Sequence, residues 1–136
     1  MNVDDLTRQI IGCAFKIHRV LGFGFLEAVY ENALRIELIK LGISVREKEV
    51  LQVRYDGHVV GEYFPDLWIE NQLIIEVKSV ENLHVRHEVQ LVNYLVATGV
   101  DNGLLLNFGS SVQVKRKFRQ YKPKGSLLDH LLQPTQ

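Results

Sequence analysis

The stretch PDLWIENQLIIEVKS, Pro65 to Ser79, decides how this chain is read. It sets an aspartate directly after a proline, then places Glu76 and Lys78 inside an apolar run. Charge in such a run is costly unless it is paired or put to use. The polar triplet Glu70-Asn71-Gln72 reads as a turn between two strands, Asp66 to Ile69 and Leu73 to Val80. A hairpin centred on Asn71 sets Asp66 opposite Glu76, with Cβ atoms about 4.5–5.5 Å apart. Lys78, two residues further on, shares the face of Glu76. Two carboxylates directly opposed in a sheet repel each other. A divalent cation between them reverses the sign, because Mg²⁺ takes oxygen ligands from one or two carboxylates and keeps several waters. A lysine beside the cation can position an attacking water or stabilise charge developing on a phosphate. Two acids and a lysine at this spacing suit metal-assisted phosphodiester hydrolysis. The plainer alternative is a surface hairpin with solvated charges, and the apolar flanks Leu73-Ile74-Ile75 and Val77 weigh against it.

Working outward, Leu6, Ile10, Cys13, Ile17 and Val20 recur at helical spacing and predict an amphipathic helix from Asp4 to Leu21. The glycines of LGFGF end it. A second helix is expected from about Leu26 to Leu41, with Leu26, Val29, Tyr30, Ala33, Leu34, Leu38 and Leu41 as its apolar face and Gly42 as its stop. Strands follow. Val45 to Tyr55 alternates, Asp56-Gly57 is a strong hairpin turn, and Val59 to Phe64 returns and runs on into the stretch above. A third helix is expected from Leu83 to Thr98, with Val85, Val89, Val92 and Val96 inward. Gly103 to Phe108 reads as a covered central strand, and Val112 to Tyr121 as a basic edge strand. The tail from about Pro123 reads as poorly ordered, apart from a helical turn around Leu127 to Leu132. The expected fold class is therefore α/β: a mixed sheet, an antiparallel meander plus a further central strand, flanked by helices.

At 136 residues with zero formal net charge, the chain fits one domain and not a protein that coats nucleic acid by bulk charge. Six basic residues and no acid lie between Lys115 and Lys124, enough to hold a phosphate backbone locally. The single cysteine, Cys13, excludes an internal disulfide framework. The acidic, polar amino terminus is unlike a signal peptide, and no apolar run is long enough to span a membrane, so a cytoplasmic location is expected. No nucleotide-binding loop points to a small-molecule cofactor.

Pro65-Asp66, nine residues, then Glu76-Val77-Lys78 resembles the signature of the PD-(D/E)XK nuclease superfamily. Upstream, Gly24-Phe25-Leu26-Glu27-Ala28-Val29-Tyr30 resembles the motif that names its GxxExxY family. Downstream, Gln90-Leu91-Val92-Asn93-Tyr94 is similar to the Gln-xxx-Tyr motif of its RecB-like and phage-exonuclease branches, and GLLLNFG to the family's last core strand. The likeness runs from about Leu6 to Arg119.

It implies a restriction-endonuclease-like core and a metal-dependent nuclease acting on DNA, with RNA not excluded and a homodimer open to it. Asp66 and Glu76 would bind Mg²⁺ or Mn²⁺, Glu27 would complete the metal shell, and Lys78 would orient the attacking water. Gln90 would support that geometry, with Tyr94 nearby. Lys115, Arg116 and Arg119 would hold the phosphate backbone, with Phe118 and Tyr121 free to stack on bases. The Gln-xxx-Tyr motif tilts the expectation toward exonuclease or end-processing activity. A structure-specific or nicking endonuclease, and a binding module that merely keeps the fold, are the alternatives. On the residues alone, Glu27 also reads as a helix-start acid, and Tyr30 as a core residue with its hydroxyl bonded. His84 and His87 have ligand spacing, but no soft ligands accompany them to make a zinc site. His87 beside a scissile phosphate is the remaining functional reading.

Overall fold

The computed structural model describes residues 1–47 and 49–119. Two helices come first, α1 (Val3–Leu21) and α2 (Glu27–Lys40). The Asn2 side chain caps α1 by accepting the Asp5 N–H at 2.9 Å, and Asp4 and Asp5 sit where the helix dipole favours acids. Four short strands follow: β1 (Val45–Glu47), β2 (Leu51–Tyr55), β3 (His58–Tyr63) and β4 (Leu67–Ile69). Then come β5 (Leu73–Lys78), α3 (Val85–Thr98), β6 (Asn102–Phe108) and β7 (Val112–Phe118).

The sheet has the order β1-β4-β5-β6-β7, with β5 and β6 parallel and every other pair antiparallel. The parallel pair requires a crossover, and α3 supplies it. The hairpin centred on Asn71 is present in the expected register, with Leu67 opposite Ile75 and Ile69 opposite Leu73. Glu70 and Asn71 both take positive φ, 50° and 59°, and the Gln72 N–H closes the turn on the Ile69 carbonyl at 2.8 Å. β6 is covered on both faces, and β7 is the basic edge.

The expected continuous meander fails. Val45 to Tyr55 is two strands, and the return strand does not run on into β4. β2 and β3 form a separate two-stranded sheet across the Asp56-Gly57 turn, while β1 pairs with β4. The meander is thus interrupted by an inserted hairpin, fastened by Leu51 and Val53 to the α3 side of the core. The expected tail and the end of the last strand at Tyr121 lie outside the described residues.

Each face of the sheet has its own core. Leu67, Ile69, Ile75, Val77, Leu104 and Phe108 pack against α1 and α2. Ile74 and Leu105 pack against Leu91, Tyr94 and Leu95 of α3. Fully burying each aliphatic side chain contributes roughly 1.5–3 kcal/mol. The inward face of α3 differs from the expected valine stripe: Val85 and Val89 are exposed, and only Val92 and Val96 are buried. Val20, Leu26, Val29 and Leu41, expected on apolar faces, are also exposed.

Gly103 lets α3 approach β6. A Cβ there would lie 2.9 Å from Leu91 Cγ. Gly103→Ala should therefore cost about 1–3 kcal/mol through overpacking. A urea midpoint equal to wild type would show that Leu91 moves aside freely.

Candidate active site

Pro65 sets the geometry of the two acids. The β4–β5 ladder ends at Leu67 opposite Ile75. Two steps further it would pair Val77 with Pro65, which has no N–H to donate. Side chains take over where the ladder stops. The Asp66 N–H donates to Glu76 Oε1 at 3.0 Å, and the Val77 N–H donates to Asp66 Oδ2 at 2.7 Å. Each carboxylate is fixed through one oxygen. The other oxygens, Asp66 Oδ1 and Glu76 Oε2, accept no hydrogen bond among the described residues.

Glu76 is buried, at 7% exposure. Burial first, then the Asp66 charge, push its carboxyl up to about 8, against the Asp66 N–H and Lys78. Burial also raises Asp66, opposed by the Val77 N–H and Lys78 and reinforced by Glu27. Lys78, half-buried at the end of β5, shares the face of Glu76 and makes no ion pair among the described residues. Two adjoining acids whose charged forms are disfavoured, each with a free oxygen, suit a hard divalent cation.

Glu27 opens α2 and is exposed, close enough to raise Asp66. Among the described residues no three His, Cys, Asp or Glu side chains gather closely enough to enclose a metal, so Glu27 is not drawn in beside the pair. An ion with two protein carboxylates and otherwise water is the coordination that Mg²⁺ prefers. Glu31 was missed. It lies one helical turn after Glu27, and burial first, then Asp66, push its carboxyl up to about 7. The i, i+4 spacing of Glu27 and Glu31 was the signal that could have found it.

Tyr30 is a clasp. Its ring stacks on Phe108 with centroids 4.5 Å apart, and its hydroxyl donates to the Gly22 carbonyl at 2.7 Å. The Phe25 N–H donates back to that hydroxyl at 3.3 Å, and Ser79 Oγ donates to the Phe25 carbonyl at 2.6 Å. The loop before Glu27 is thereby tied to the residue after Lys78.

α3 contributes from the other side. His84 caps it: its Nδ1 accepts the Arg86 N–H at 3.0 Å, and the His84 N–H donates to His87 Nδ1 at 3.1 Å. Partial burial first, then Lys78, lower His87. Tyr94 is buried, and its ring lies 5.5 Å from that of Tyr63. Burial first, then Glu76, hold its hydroxyl well above the usual phenol range, while a hydrogen bond from Gln90 opposes.

The basic strand is divided. Lys117 pairs with Glu88 of α3 at 3.2 Å, whereas Arg116 pairs with Asp4 of α1, on the opposite face of the sheet from Lys78. Arg119 pairs with Asp101 at 2.9 Å, next to the start of β6 and far from Lys78, which stands opposite Asn107 near its end. Only Lys115 is exposed at the level of Glu76, opposite Leu105, which itself pairs with Glu76. Arg116 and Arg119 are thus not brought together with the acids.

A family model described as the PD-(D/E)XK nuclease superfamily matches residues 4–120. The chain belongs to that superfamily. The mixed five-stranded sheet with flanking helices is consistent with its restriction-endonuclease-like fold, and membership suggests a nuclease acting on nucleic acid. PD-(D/E)XK nucleases generally use divalent metals, in agreement with the acid pair. No curated protein and no solved structure matches. No described helix is long and apolar enough to cross a membrane.

Glu76 gives a stability test with a definite sign. A carboxyl raised in the folded state binds more protons there than in the unfolded chain, so stability falls as pH rises from about 4.5 to about 8. Glu76→Gln keeps an acceptor for the Asp66 N–H. In metal-free buffer it should flatten that decline and raise the melting temperature at pH 8 by several degrees. A lower melting temperature for the variant at pH 8 would contradict the buried-acid account.

Proposed function

We propose that the chain is a Mg²⁺- or Mn²⁺-dependent phosphodiesterase of the GxxExxY family acting on DNA. The observation that carries this reading is the Asp66–Glu76 pair, Glu76 buried and Asp66 half-buried beside it with one free oxygen each, and Lys78 on the same face of β5. Asp66 and Glu76 would hold the ion, which supplies Lewis acidity toward the phosphate and its attacking water. Lys78 donates through Nζ to the water or to a phosphate oxygen, orienting the first and stabilising charge that develops on the second. Gln90 would support this geometry from α3, with the buried Tyr94 ring one turn on and close enough for the Glu76 charge to act on it. Glu27, on its tied loop, adds negative charge at the mouth. Lys115 is the basic-strand residue placed to meet a backbone at this level. The Gln90-to-Tyr94 motif favours attack at strand ends over internal nicking.

The test is a panel of linear single-stranded, duplex and flapped DNA, with closed circular DNA beside it, incubated with Mg²⁺ or Mn²⁺. Asp66→Ala, Glu76→Ala and Lys78→Ala should each lower cleavage by at least about 100-fold, the usual scale for losing a group that acts in the transition state. Cleavage that survives Glu76→Ala would place the activity elsewhere. Intact closed circles beside degraded linear DNA would support end processing, and nicked circles the endonuclease reading.

A further inference from the structure

Resting on the nuclease reading above, we infer that the site selects unpaired strands: Phe25, Tyr63 and Phe64 stack on exposed bases, with Leu26 adding apolar contact beside Phe25, so single-stranded DNA is taken in preference to duplex. These four residues directly precede the acids. Phe25 and Leu26 run into Glu27, and Tyr63 and Phe64 run through Pro65 into Asp66. They are exposed to the extent of 47%, 82%, 43% and 59%. Two of them are held in place. The Phe25 backbone is fixed at its N–H by Tyr30 and at its carbonyl by Ser79. The Tyr63 ring leans on Tyr94, beside Glu76. Apolar side chains therefore stand on both segments that lead into the acids, one tied to Ser79 just past Lys78 and the other leaning on Tyr94.

Charge points the same way. The acids of the site and its mouth are Glu27, Glu31, Asp66 and Glu76; the cations beside them are Lys78 on β5 and Arg35 on α2, the latter engaged by Glu47 at 2.8 Å, while Arg86 on α3 lies by His87. Lys115 on β7 is a single cation at the level of Glu76, two strands away, and Lys117, Arg116 and Arg119 are engaged by Glu88, Asp4 and Asp101. Duplex binding draws chiefly on cations that neutralise phosphates. Among the described residues such a track is missing near the acids. A single strand offers base faces instead, and stacking on an aromatic ring contributes about 1–3 kcal/mol per base whatever the sequence. Inside a duplex those faces are already covered by neighbouring bases.

The test measures binding and chemistry separately. Anisotropy of a short fluorescein-labelled oligothymidylate and of a blunt duplex is followed with the full chain in Ca²⁺ buffer, for wild type, Phe25→Ala, Phe64→Ala and Phe15→Ala. Phe15 is an exposed phenylalanine of α1 that serves as the remote control. Hydrolysis of thymidine 5′-p-nitrophenyl phosphate with Mn²⁺ reports the phosphodiesterase chemistry without a strand to stack. Single strands should bind at least about tenfold tighter than duplex, with Phe64→Ala and Phe25→Ala each losing roughly tenfold. Phe15→Ala should match wild type in strand binding and in small-diester hydrolysis. Because Phe25 touches the Tyr30 ring, Phe64→Ala decides if Phe25→Ala fails to fold. Equal or tighter duplex binding, or a Phe64→Ala protein that binds strands like wild type, overturns the inference. Phenylalanine-dependent strand binding without hydrolysis of any substrate would sustain the stacking surface and defeat the nuclease reading alone.

Discussion

Where β4 leaves the ladder, the protein exchanges backbone pairing for a pair of acids. Asp66 donates its N–H to Glu76 and accepts the Val77 N–H in return. The two bonds do the work of a ladder step, so the sheet keeps its register while two carboxylates are forced together where the β4–β5 ladder ends. A buried amide without a partner costs about 1–3 kcal/mol. The Val77 N–H therefore holds Asp66 as firmly as Asp66 holds Glu76. Repulsion between the acids is built into the strand pairing and cannot be relieved by a rotamer change without orphaning a backbone donor.

Everything else near the site leans on that fixed pair. Val77 and Ile75 point into the core shared with α1 and α2, so Glu76 and Lys78 must point toward α3. α3 answers with Tyr94 and the Gln90 amide, while α2 brings Glu27 and Glu31 from the strand end. Asn107 braces the exit of β5: its side-chain amide accepts the Val80 N–H and donates to the Val80 carbonyl, both at 2.9 Å. Gly109 leaves room for that segment, since a Cβ there would lie 2.9 Å from the Val80 carbonyl. The chain just after Lys78 is thus held by side chains where no strand partner continues.

The hairpin register was legible because a polar triplet interrupts two apolar runs, and a one-residue slip would have turned every buried residue outward. The helices were legible from period, and the edge strand from its charge. The inserted hairpin was hidden. Glu49 and Val50 carry no Gly or Pro to mark the break, so β1 and β2 read as one strand. The face of α3 was misread because valines at regular spacing compete with Leu91, Tyr94 and Leu95, and larger side chains win the core. Local sequence also could not show that Arg116 and Lys117 would be claimed by acids on opposite faces. Those partners, Asp4 and Glu88, are distant in the chain and meet them only in three dimensions.

The caps of α3 are imidazoles in place of the usual hydroxyl or carboxylate. Nδ1 of each ring accepts a backbone N–H, and a protonated ring cannot accept. For His87, whose folded form is the harder to protonate, stability is present above about 6.5 and drains away as pH falls through its lowered value. The carboxylates tilt the other way, gaining as pH falls. Acid therefore relaxes the floor of the site while unfastening the helix that forms its wall. The molecule thus carries two opposed pH responses within one cleft, one from the Glu76 carboxyl and one from the His87 ring.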